Sequence, residues 1–202
     1  MRKADKALYL AKEKGKNRHI IYEERLHGKL ETDDMQNMAM AYAVSKEKKR
    51  EAITEMITQL CVSGVNAIVK NEERLQQIRS LFDLDGITIF SDRGSNLVCR
   101  NGNYMAEAPD GRPGFEDEKY LALFGEDGIF VESNMLKLRS QNPAAYAVTQ
   151  EQEIGAALQC LSRKEGVPYA MVNFEVFNRN RKWSDEDITL LTLLGHCIGN
   201  LL

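Results

Sequence analysis

The length, composition and charge of this chain describe one ordinary globular domain with an extension. Its 202 residues are 43% hydrophobic and 28% charged, which supplies enough apolar side chain for a core and enough charge for solubility. The formal net charge is −3, yet residues 1–29 carry nine Lys or Arg against four acidic residues, so the remainder is acidic. A nucleic-acid-binding domain usually has a basic face, and the acidic remainder excludes that class of protein.

The cysteines and the hydropathy pattern exclude two further classes. The four cysteines include no CxxC pair; they are Cys61, Cys99, Cys160 and Cys197. Zinc ligation needs thiolates or imidazoles at short spacings, so we expect no metal, no cofactor and reduced, mostly buried thiols. No apolar run approaches the roughly 18 residues that span a bilayer, and the first residues lack the apolar core of a signal peptide. We therefore expect a cytoplasmic protein with no membrane partner.

The first predicted elements are a helix over 4–14 and a short apolar strand over 19–22. The helix has an apolar stripe formed by Ala4, Ala7, Leu8 and Ala11. Gly15 follows where a helix C-cap belongs. Eleven residues of helix and four of strand cannot bury a core of their own, so this segment docks on something or is the edge of a larger domain.

Residues 4–22 resemble the C-terminal helix and strand of GGDEF (diguanylate cyclase) domains. The segment ADKALYLAKEKGKNRHIIY fits the pattern ADxALYxAKxxGxNRxxxY. The resemblance implies that Lys12 and Lys16 correspond to two basic residues that approach the phosphates of GTP in that family. The GG[DE]EF hairpin, which supplies the metal-binding carboxylates of the family, is missing from this sequence. Since phosphoryl transfer depends on those metals, we expect no catalytic residue and only vestigial phosphate contacts here.

From residue 53 onward the apolar spacing predicts helices followed by antiparallel strands. Helical spacing runs over 53–68 and resumes over 71–82. Alternating apolar residues then predict three strands, over 86–90, 97–100 and 129–131. Residues 92–96 have the composition of a hairpin turn, and 116–124 are predicted as a short helix.

A helix, a long strand and a closing helix complete the predicted order. Apolar residues at helical spacing over 151–163 predict a helix that stops at Gly166. The strand over 167–177 has one apolar face, formed by Ala170, Val172, Phe174 and Val176, and one mixed face, formed by Tyr169, Met171, Asn173, Glu175 and Phe177. Ser184 and Asp187 fit a capping box at the start of the closing helix, whose two apolar seams suit packing on its own sheet and on another helix.

Residues from about 50 to 202 resemble a GAF domain in pattern and element order. The likeness is clearest in GVPYAMVNFEVFN at 166–178 and in RKWSDEDI at 181–188. It implies an α+β fold with a GAF-like central antiparallel sheet, the N- and C-terminal helices packed on one face and loops over the other. A PAS-like sensor is the alternative. The predicted domains are a GGDEF remnant over 1–23, a helical linker over 24–50 and a GAF-like sensor domain over 51–202.

Two ligand signatures of GAF domains match this sequence poorly. Cyclic-nucleotide-binding members carry an N-K…F-x-x-x-D-E signature, to which Asn178-Arg179, Trp183 and Asp187-Ile188 correspond only loosely. Bilin-carrying members need a cysteine in the pocket loop, whereas His196-Cys197 lies in the closing helix, where packing is the expected role. The sequence therefore names no particular ligand.

The mixed face of strand 167–177 is the predicted floor of a small-molecule site. If loop 101–150 covers this face, Asn173 and Glu175 need partners, because an unpaired buried charge costs several kcal/mol. A ligand can provide them, and so can an internal ion pair with Arg100 or Arg139; both alternatives stay open. The predicted ligand-binding set is Arg100, Tyr104, Phe130, Tyr169, Met171, Asn173 and Glu175. Its aromatic and thioether members can equally be ordinary core.

The sequence thus favours a non-catalytic regulatory or sensory module from a cyclic di-GMP signalling protein. We expect it to bind an unidentified small molecule and to form a homodimer through its terminal helices. Two alternatives remain. The chain can be the C-terminal portion of a diguanylate cyclase that is active only with its missing GGDEF catalytic part, or a structural dimerisation domain with no ligand.

Overall fold

The computed structural model describes residues 7, 21, 23, 25, 32–64, 72–91, 97–100, 103–105, 117–151 and 153–202. The chain divides into two compact units, Met1–Lys48 and Lys49–Leu202. The predicted helix over 4–14 and strand over 19–22 fall, apart from single positions, outside the described residues, and so does the hairpin turn over 92–96. The sheet and the layers that cover it belong to the second unit.

A six-stranded antiparallel sheet forms the centre of the second unit. The spatial order of its strands is β3 (Asn103–Met105), β2 (Leu97–Arg100), β1 (Gly86–Ser91), β6 (Val167–Phe177), β5 (Ile154–Lys164) and β4 (Ile129–Glu132). The long strand predicted over 167–177 is therefore central, paired with β1 on one side and β5 on the other. The three shorter strands predicted from alternation are confirmed as β1, β2 and β4.

Helices and one 3₁₀ turn account for the other regular elements of the described chain. The helices are α1 (Thr32–Ser63), α2 (Glu72–Leu81), α3 (Glu118–Leu121), α4 (Leu138–Gln141), α5 (Pro143–Glu151) and α6 (Asp185–Leu201), and the 3₁₀ turn is Met135–Lys137. None of the helices in the described part of the chain is long and apolar enough to cross a membrane.

One face of the sheet packs against α2, α6 and the part of α1 that belongs to the second unit. This helix-side core contains fully buried side chains from every one of these elements, among them Ile53, Met56, Leu75, Ile78, Val172, Phe174, Val176, Leu191 and Ile198. Gly195 lets α6 approach the sheet closely, because a Cβ there would lie 2.5 Å from Cys160 Sγ. The apolar seam of α6 that contains Gly195 is therefore buried against the sheet.

The opposite face packs against short helices and loops. Its loop-side core contains Tyr120, Phe124, Phe130, Met135, Leu138, Ala145, Ile154, Ala157, Leu161 and Met171. The two faces of β6 therefore do what their side chains predict, with Val172, Phe174 and Val176 towards the helices and Met171 towards the loops. The α+β architecture, with helices on one face of an antiparallel sheet and loops on the other, is confirmed.

The helix predicted over 151–163 is wrong, because most of that segment is strand β5. Ala156, Leu158 and Cys160 face the helix-side core while Ala157 and Leu161 face the loop-side core. A strand that is buried on both faces has no polar alternation, and its apolar run then fits helical spacing by accident. Gly166 accordingly does not end a helix; with Glu165 it forms a two-residue hairpin turn in which both residues have positive φ, 54° and 84°.

Ser184 is confirmed as the N-cap of the closing helix, which is one half of the predicted capping box. Ser184 is extended, with φ −80° and ψ 153°, and its hydroxyl accepts a hydrogen bond from the Asp187 backbone N–H at 3.1 Å. Asp185, Glu186 and Asp187 all lie in the first turn, where the helix dipole favours negative charge. This geometry fixes the point at which the chain leaves β6 and enters α6.

Candidate functional site

The loop-covered face of the sheet carries a polar cluster at its centre. Residues that oppose each other across an antiparallel pair share a face, so the register of β1, β6 and β5 defines rows across it. These rows are Phe90, Met171 and Leu161; then Thr88, Asn173 and Gln159; then Gly86, Glu175 and Ala157. We call Thr88, Gln159, Asn173 and Glu175 the loop-side polar cluster. Its members are buried, with exposed fractions of 0%, 5%, 1% and 0%.

Hydrogen bonds inside the loop-side polar cluster do not supply a donor to Asn173 Oδ1. The Thr88 hydroxyl donates to Glu175 Oε2 at 3.2 Å. The Tyr120 hydroxyl, which comes from α3 above the sheet, donates to Gln159 Oε1 at 2.7 Å and lies 3.8 Å from Met171 Sδ. Asn173 Oδ1 is buried and has no hydrogen-bond partner among the described residues. A buried acceptor without a donor is uncommon in native proteins and calls for an explanation.

The surroundings of the cluster are apolar and contain little described positive charge. Tyr120, Phe124 and Phe130 form successive ring contacts, with centroids 5.6 and 5.9 Å apart. Among the residues whose side chains the structure describes, the buried ones include no Lys or Arg. A few polar groups that converge within an aromatic and aliphatic lining are the usual composition of a small-molecule site.

Four of the seven predicted ligand-binding residues come together on this face. Phe130 and Met171 are buried in the loop-side core, and Asn173 and Glu175 are buried in the polar cluster. Phe130 opposes Gln159 across β4 and β5, so it extends the row that contains Asn173. These four residues remain the proposed core of a binding site.

Tyr169 is not brought together with them. The half-buried Tyr169 lies at the far end of β6, and its hydroxyl donates to Asn200 Oδ1 of α6 at 3.3 Å. Tyr104 pairs with Cys99, which pairs with Ile87, and Ile87 belongs to the helix-side core. The side chain of Tyr104 is not among those that the structure describes, so its role in binding stays a prediction.

The basic residues that the sequence analysis named fall into three different situations in the structure. Arg100 opposes Gly86, which in turn opposes Glu175, so Arg100 shares a row with that acidic residue. Arg139, the other candidate for an internal ion pair, is exposed in α4. Lys12 and Lys16 lie outside the described residues. The side chain of Arg100 is not among those that the structure describes, so the internal partner of Glu175 stays a prediction.

Sequence reasoning missed Thr88, Gln159 and Tyr120. Thr88 lies between Ile87 and Ile89 in a predicted strand, so alternation alone puts it on the face opposite the apolar residues, but not beside Asn173. Gln159 was missed because the apolar spacing of its segment predicts a helix rather than a strand. Tyr120 lies in a predicted helix, and nothing local indicates that its hydroxyl reaches a strand 39 residues further on.

A second polar cluster joins α1 to the start of α6. Lys49 Nζ donates to Asp187 Oδ1 at 2.6 Å, and Arg181 donates to Asp187 Oδ2 at 2.9 Å. Arg181 also donates to the backbone carbonyls of Phe82 and Asp83, and its guanidinium stacks 4.3 Å from the Trp183 ring. We call Lys49, Arg181 and Asp187 the helix clamp.

The clamp shifts the pKa of its own groups. Burial alone would raise the pKa of the Asp187 carboxyl, but the hydrogen bonds and charges of Lys49 and Arg181 outweigh burial and hold that pKa below its usual value. Burial lowers the pKa of Arg181, and the neighbouring Asp187 opposes this shift. The segment that loosely matches the cyclic-nucleotide signature thus supplies internal contacts: Trp183 Nε1 donates to the Glu132 carbonyl at 3.2 Å, and Arg179 binds the Asp83 carbonyl at 2.9 Å.

Two of the described thiols are not activated, and the described residues form no metal centre. Burial raises the pKa of the Cys160 thiol to about 12 and raises that of Cys197 above its ordinary value, so neither is activated as a thiolate. Cys61, Cys160 and Cys197 are free. Within the described part of the chain, no group of three or more His, Cys, Asp or Glu side chains is placed to hold a metal ion.

Comparisons with solved structures identify the class of fold. The chromophore-binding domain of a Stigmatella aurantiaca bacteriophytochrome (Thr289His mutant, Pr state) matches 76% of this chain at 15% identity, with a TM-score of 0.51. JSC1_58120g3, in a far-red-absorbing dark state with bound biliverdin, matches 74% of it at 17% identity, with a TM-score of 0.50. The chromophore-binding domain of an R. palustris bacteriophytochrome matches 76% at 13% identity, also with a TM-score of 0.50.

These likenesses show the fold alone, because each identity is well below 25%. The matching part spans 59% of each bacteriophytochrome chain and 96% of JSC1_58120g3. No protein-family model matches the chain, and no curated protein matches its sequence. The chain therefore has an α+β fold with a GAF-like central antiparallel sheet.

Proposed function

We propose that this chain is a regulatory or sensory module that binds a small molecule on the loop-covered face of its sheet. The observation that carries the proposal is the loop-side polar cluster, buried at the centre of an apolar face and containing an acceptor, Asn173 Oδ1, with no donor among the described residues. Leaving such a group unpaired costs about 1–3 kcal/mol. A ligand that supplies the donor recovers this free energy on binding.

The comparisons support a ligand on this class of fold. Two of the similar structures are chromophore-binding domains, and a third contains bound biliverdin. The proposed binding residues are Phe130, Met171, Asn173 and Glu175, joined by Thr88, Gln159 and Tyr120. Arg100 is the proposed internal partner of Glu175 at the edge of the site. We propose no catalytic role for any residue of this chain.

The proposed context is a cytoplasmic signalling protein of the cyclic di-GMP system. The support for it is the GGDEF-like segment over 4–22. The proposed domains are the GGDEF remnant over 1–23, the helical linker over 24–50 and the sensor domain over 51–202. We further propose a homodimer formed through the terminal helices, because Val62 of α1 and Leu193 and Leu201 of α6 are large apolar side chains that are exposed. Sedimentation as a monomer at high micromolar concentration would contradict the dimer.

A thermal shift assay tests the proposed binding function. Wild type, Asn173→Leu and Asn200→Leu are heated with a panel of nucleotides and metabolites; Asn200 is an exposed asparagine on α6 and serves as the matched control. A ligand at 100 times its Kd stabilises by about 2.7 kcal/mol. For a chain of this size that corresponds to a rise of roughly 5–10 °C in Tm. We expect this rise in wild type and Asn200→Leu, and a much smaller one in Asn173→Leu.

One observation favours a second candidate, a structural dimerisation domain. Ten apolar side chains are buried in the loop-side core and already fill part of that face. If no compound in the panel shifts Tm while sedimentation shows a dimer, this candidate replaces the binding module. An upstream reading frame that encodes GG[DE]EF in the native gene would favour the diguanylate cyclase alternative, for which GTP turnover by this chain alone is expected to be absent.

A further inference from the structure

Two of the free cysteines lie on α1 and α6, away from the loop-covered face. Cys61 is exposed in the last turn of α1, and Cys197 is half-buried in α6. The proposed ligand site uses neither of them. Two thiols on neighbouring helices can react as a pair when they lie at the same level and on facing sides, so the alignment of the two helices decides what these thiols can do.

An ion pair aligns the two helices at the start of α6. Arg50 of α1 donates to Glu186 Oε1 at 3.0 Å, and these two residues are 136 positions apart. Cys61 and Cys197 are separated by the same number of positions. Each cysteine follows the charged residue of its helix by eleven positions, which is about three turns or about 16 Å. Because about three whole turns return to the same face of a helix, each cysteine lies on the face that carries the ion pair.

The two thiols also interact electrostatically. Burial raises the pKa of the Cys197 thiol above its ordinary value, and the charge of Cys61 raises it further. Charges at a protein surface are largely screened beyond about 10 Å, so this effect requires that the two side chains are neighbours. Since the helices are close at two levels with an equal separation along the chain, they run side by side in the same direction. Cys61 and Cys197 therefore face each other across the contact between α1 and α6.

Cys61 is accessible to reagents in solution, whereas another free cysteine of the sheet is not. Cys61 and the next residue, Val62, are both exposed, and Val62 has an exposed fraction of 82%. Cys160 is buried, and its burial raises the pKa of the thiol to about 12, so it is protected and unreactive. A small-molecule disulfide can therefore meet Cys61 first, with Cys197 as the thiol that faces it.

We propose that Cys61 and Cys197 form a redox-active dithiol, which a small-molecule disulfide such as oxidised glutathione converts into an intrachain disulfide. The Cys61 thiolate attacks one sulfur of oxidised glutathione, forms a mixed disulfide and releases one glutathione thiolate. The Cys197 thiolate then attacks the Cys61 sulfur and releases the second glutathione. Each cysteine gives up one proton, and the two electrons that the cysteines lose reduce one oxidised glutathione to two glutathione molecules. The second step is intramolecular, so it does not need an activated thiolate.

The disulfide would join the last turn of α1 to α6. A cross-link between positions so far apart in the sequence restricts the unfolded chain strongly, and we expect the oxidised chain to have a Tm higher than that of the reduced chain by roughly 5–15 °C. The same two helices form the proposed homodimer, so oxidation would fix the relative position of its surfaces within each chain. The dithiol does not depend on a ligand at the loop-covered face.

Equilibration in glutathione buffers tests the dithiol. The reduced chain is incubated with oxidised and reduced glutathione at a series of ratios and quenched with acid, the remaining thiols are alkylated, and peptide mass spectrometry identifies each linkage. We expect a Cys61–Cys197 disulfide within one chain, with an effective concentration of one thiol at the other in the millimolar range or above. Cys61→Ser should abolish this linkage, whereas Cys99→Ser should leave it unchanged.

A displaced thiol separates the alignment of the helices from simple exposure. In the double variant Cys61→Ser/Val62→Cys, the thiol moves by one residue and therefore turns by about 100° around α1. The new position is at least as open to solvent, because Val62 is a strongly exposed side chain. We expect the effective concentration of this thiol towards Cys197 to be lower than that of Cys61 by at least about tenfold.

Three results would overturn the dithiol. The first is separate glutathione adducts on Cys61 and Cys197 with no linkage between them at any ratio. The second is a disulfide between two chains as the main product, seen as a dimer on a non-reducing gel. The third is an effective concentration in the displaced variant equal to that of wild type. None of these results bears on ligand binding at the loop-covered face, which the thermal shift assay tests separately.

Discussion

Two groups of polar side chains in the second unit are wholly or partly buried, and they differ in how completely they are paired. In the helix clamp, both carboxylate oxygens of Asp187 accept hydrogen bonds, one from Lys49 and one from Arg181. In the loop-side polar cluster, Asn173 Oδ1 lacks a donor among the described residues. A structural contact is most stable when all of its buried polar atoms have hydrogen-bond partners. A buried acceptor without a donor lowers stability, and it is retained where a ligand supplies that donor.

The largest effect is expected from breaking the helix clamp. Asp187→Asn removes the carboxylate and leaves the charges of Lys49 and Arg181 largely buried without their partner. Such a change costs about 3 kcal/mol, which lowers Tm by roughly 6–12 °C in a chain of this size. Differential scanning calorimetry measures it. Asp185→Asn, an exposed aspartate in the same helix turn, is the matched control and should cost less than about 1 kcal/mol.

Acid should remove the contribution of the clamp. The folded-state pKa of Asp187 is lowered, so its contribution to the free energy of unfolding is fully present above the unfolded pKa of about 3.9 and is lost as pH falls through the folded pKa. Urea unfolding of wild type and Asp187→Asn should therefore give a constant difference from pH 7 to about pH 5 and a shrinking one at lower pH. A difference that does not change with pH would show that Asp187 does not act through its charge.

A smaller loss of stability is expected from removing a hydrogen bond that the loop-side polar cluster does make. Tyr120→Phe removes the hydroxyl that donates to Gln159 and should cost about 1–2 kcal/mol, because a buried amide oxygen is left without its donor. Tyr169→Phe removes a longer, exposed hydrogen bond to Asn200 and should cost less than about 0.5 kcal/mol. Equal losses in chemical denaturation would contradict the difference in burial on which the cluster depends.

The smallest expected effect is a gain in stability rather than a loss. Asn173→Leu exchanges a buried amide with an unmet acceptor for an apolar side chain of similar size. Without ligand, this variant should be as stable as wild type or about 1 kcal/mol more stable. A loss of 2 kcal/mol or more in urea unfolding would mean that Asn173 is a structural residue, like those of the clamp.

Strands β6 and β5 show what the sequence can and cannot predict. β6 has one apolar and one mixed face, and that difference alone identifies both the strand and the residues Asn173 and Glu175 that point into the loop-side layer. β5 is buried and mostly apolar on both faces, so its pattern has no period of two and predicts a helix instead. Local periodicity identifies a strand only when its two faces meet different surroundings.

The two polar clusters depend on pairings that local patterns do not contain. Ser184 could be predicted as an N-cap because its partner is three residues away. Lys49 and Asp187 are 138 residues apart, and Thr88 and Glu175 are 87 residues apart. Their partnership follows from the register of the sheet and from the packing of α1 beside α6, and neither is encoded in the spacing of nearby residues.

The most direct test of the central claim is to ask whether a small molecule is retained on the loop-covered face. Native mass spectrometry is applied to wild type, Asn173→Leu and Asn200→Leu after incubation with a small-molecule extract from cells. The account predicts a bound compound on wild type and on Asn200→Leu, and little or none on Asn173→Leu. A wild-type chain that retains nothing, or an Asn173→Leu chain that retains as much as wild type, would contradict it.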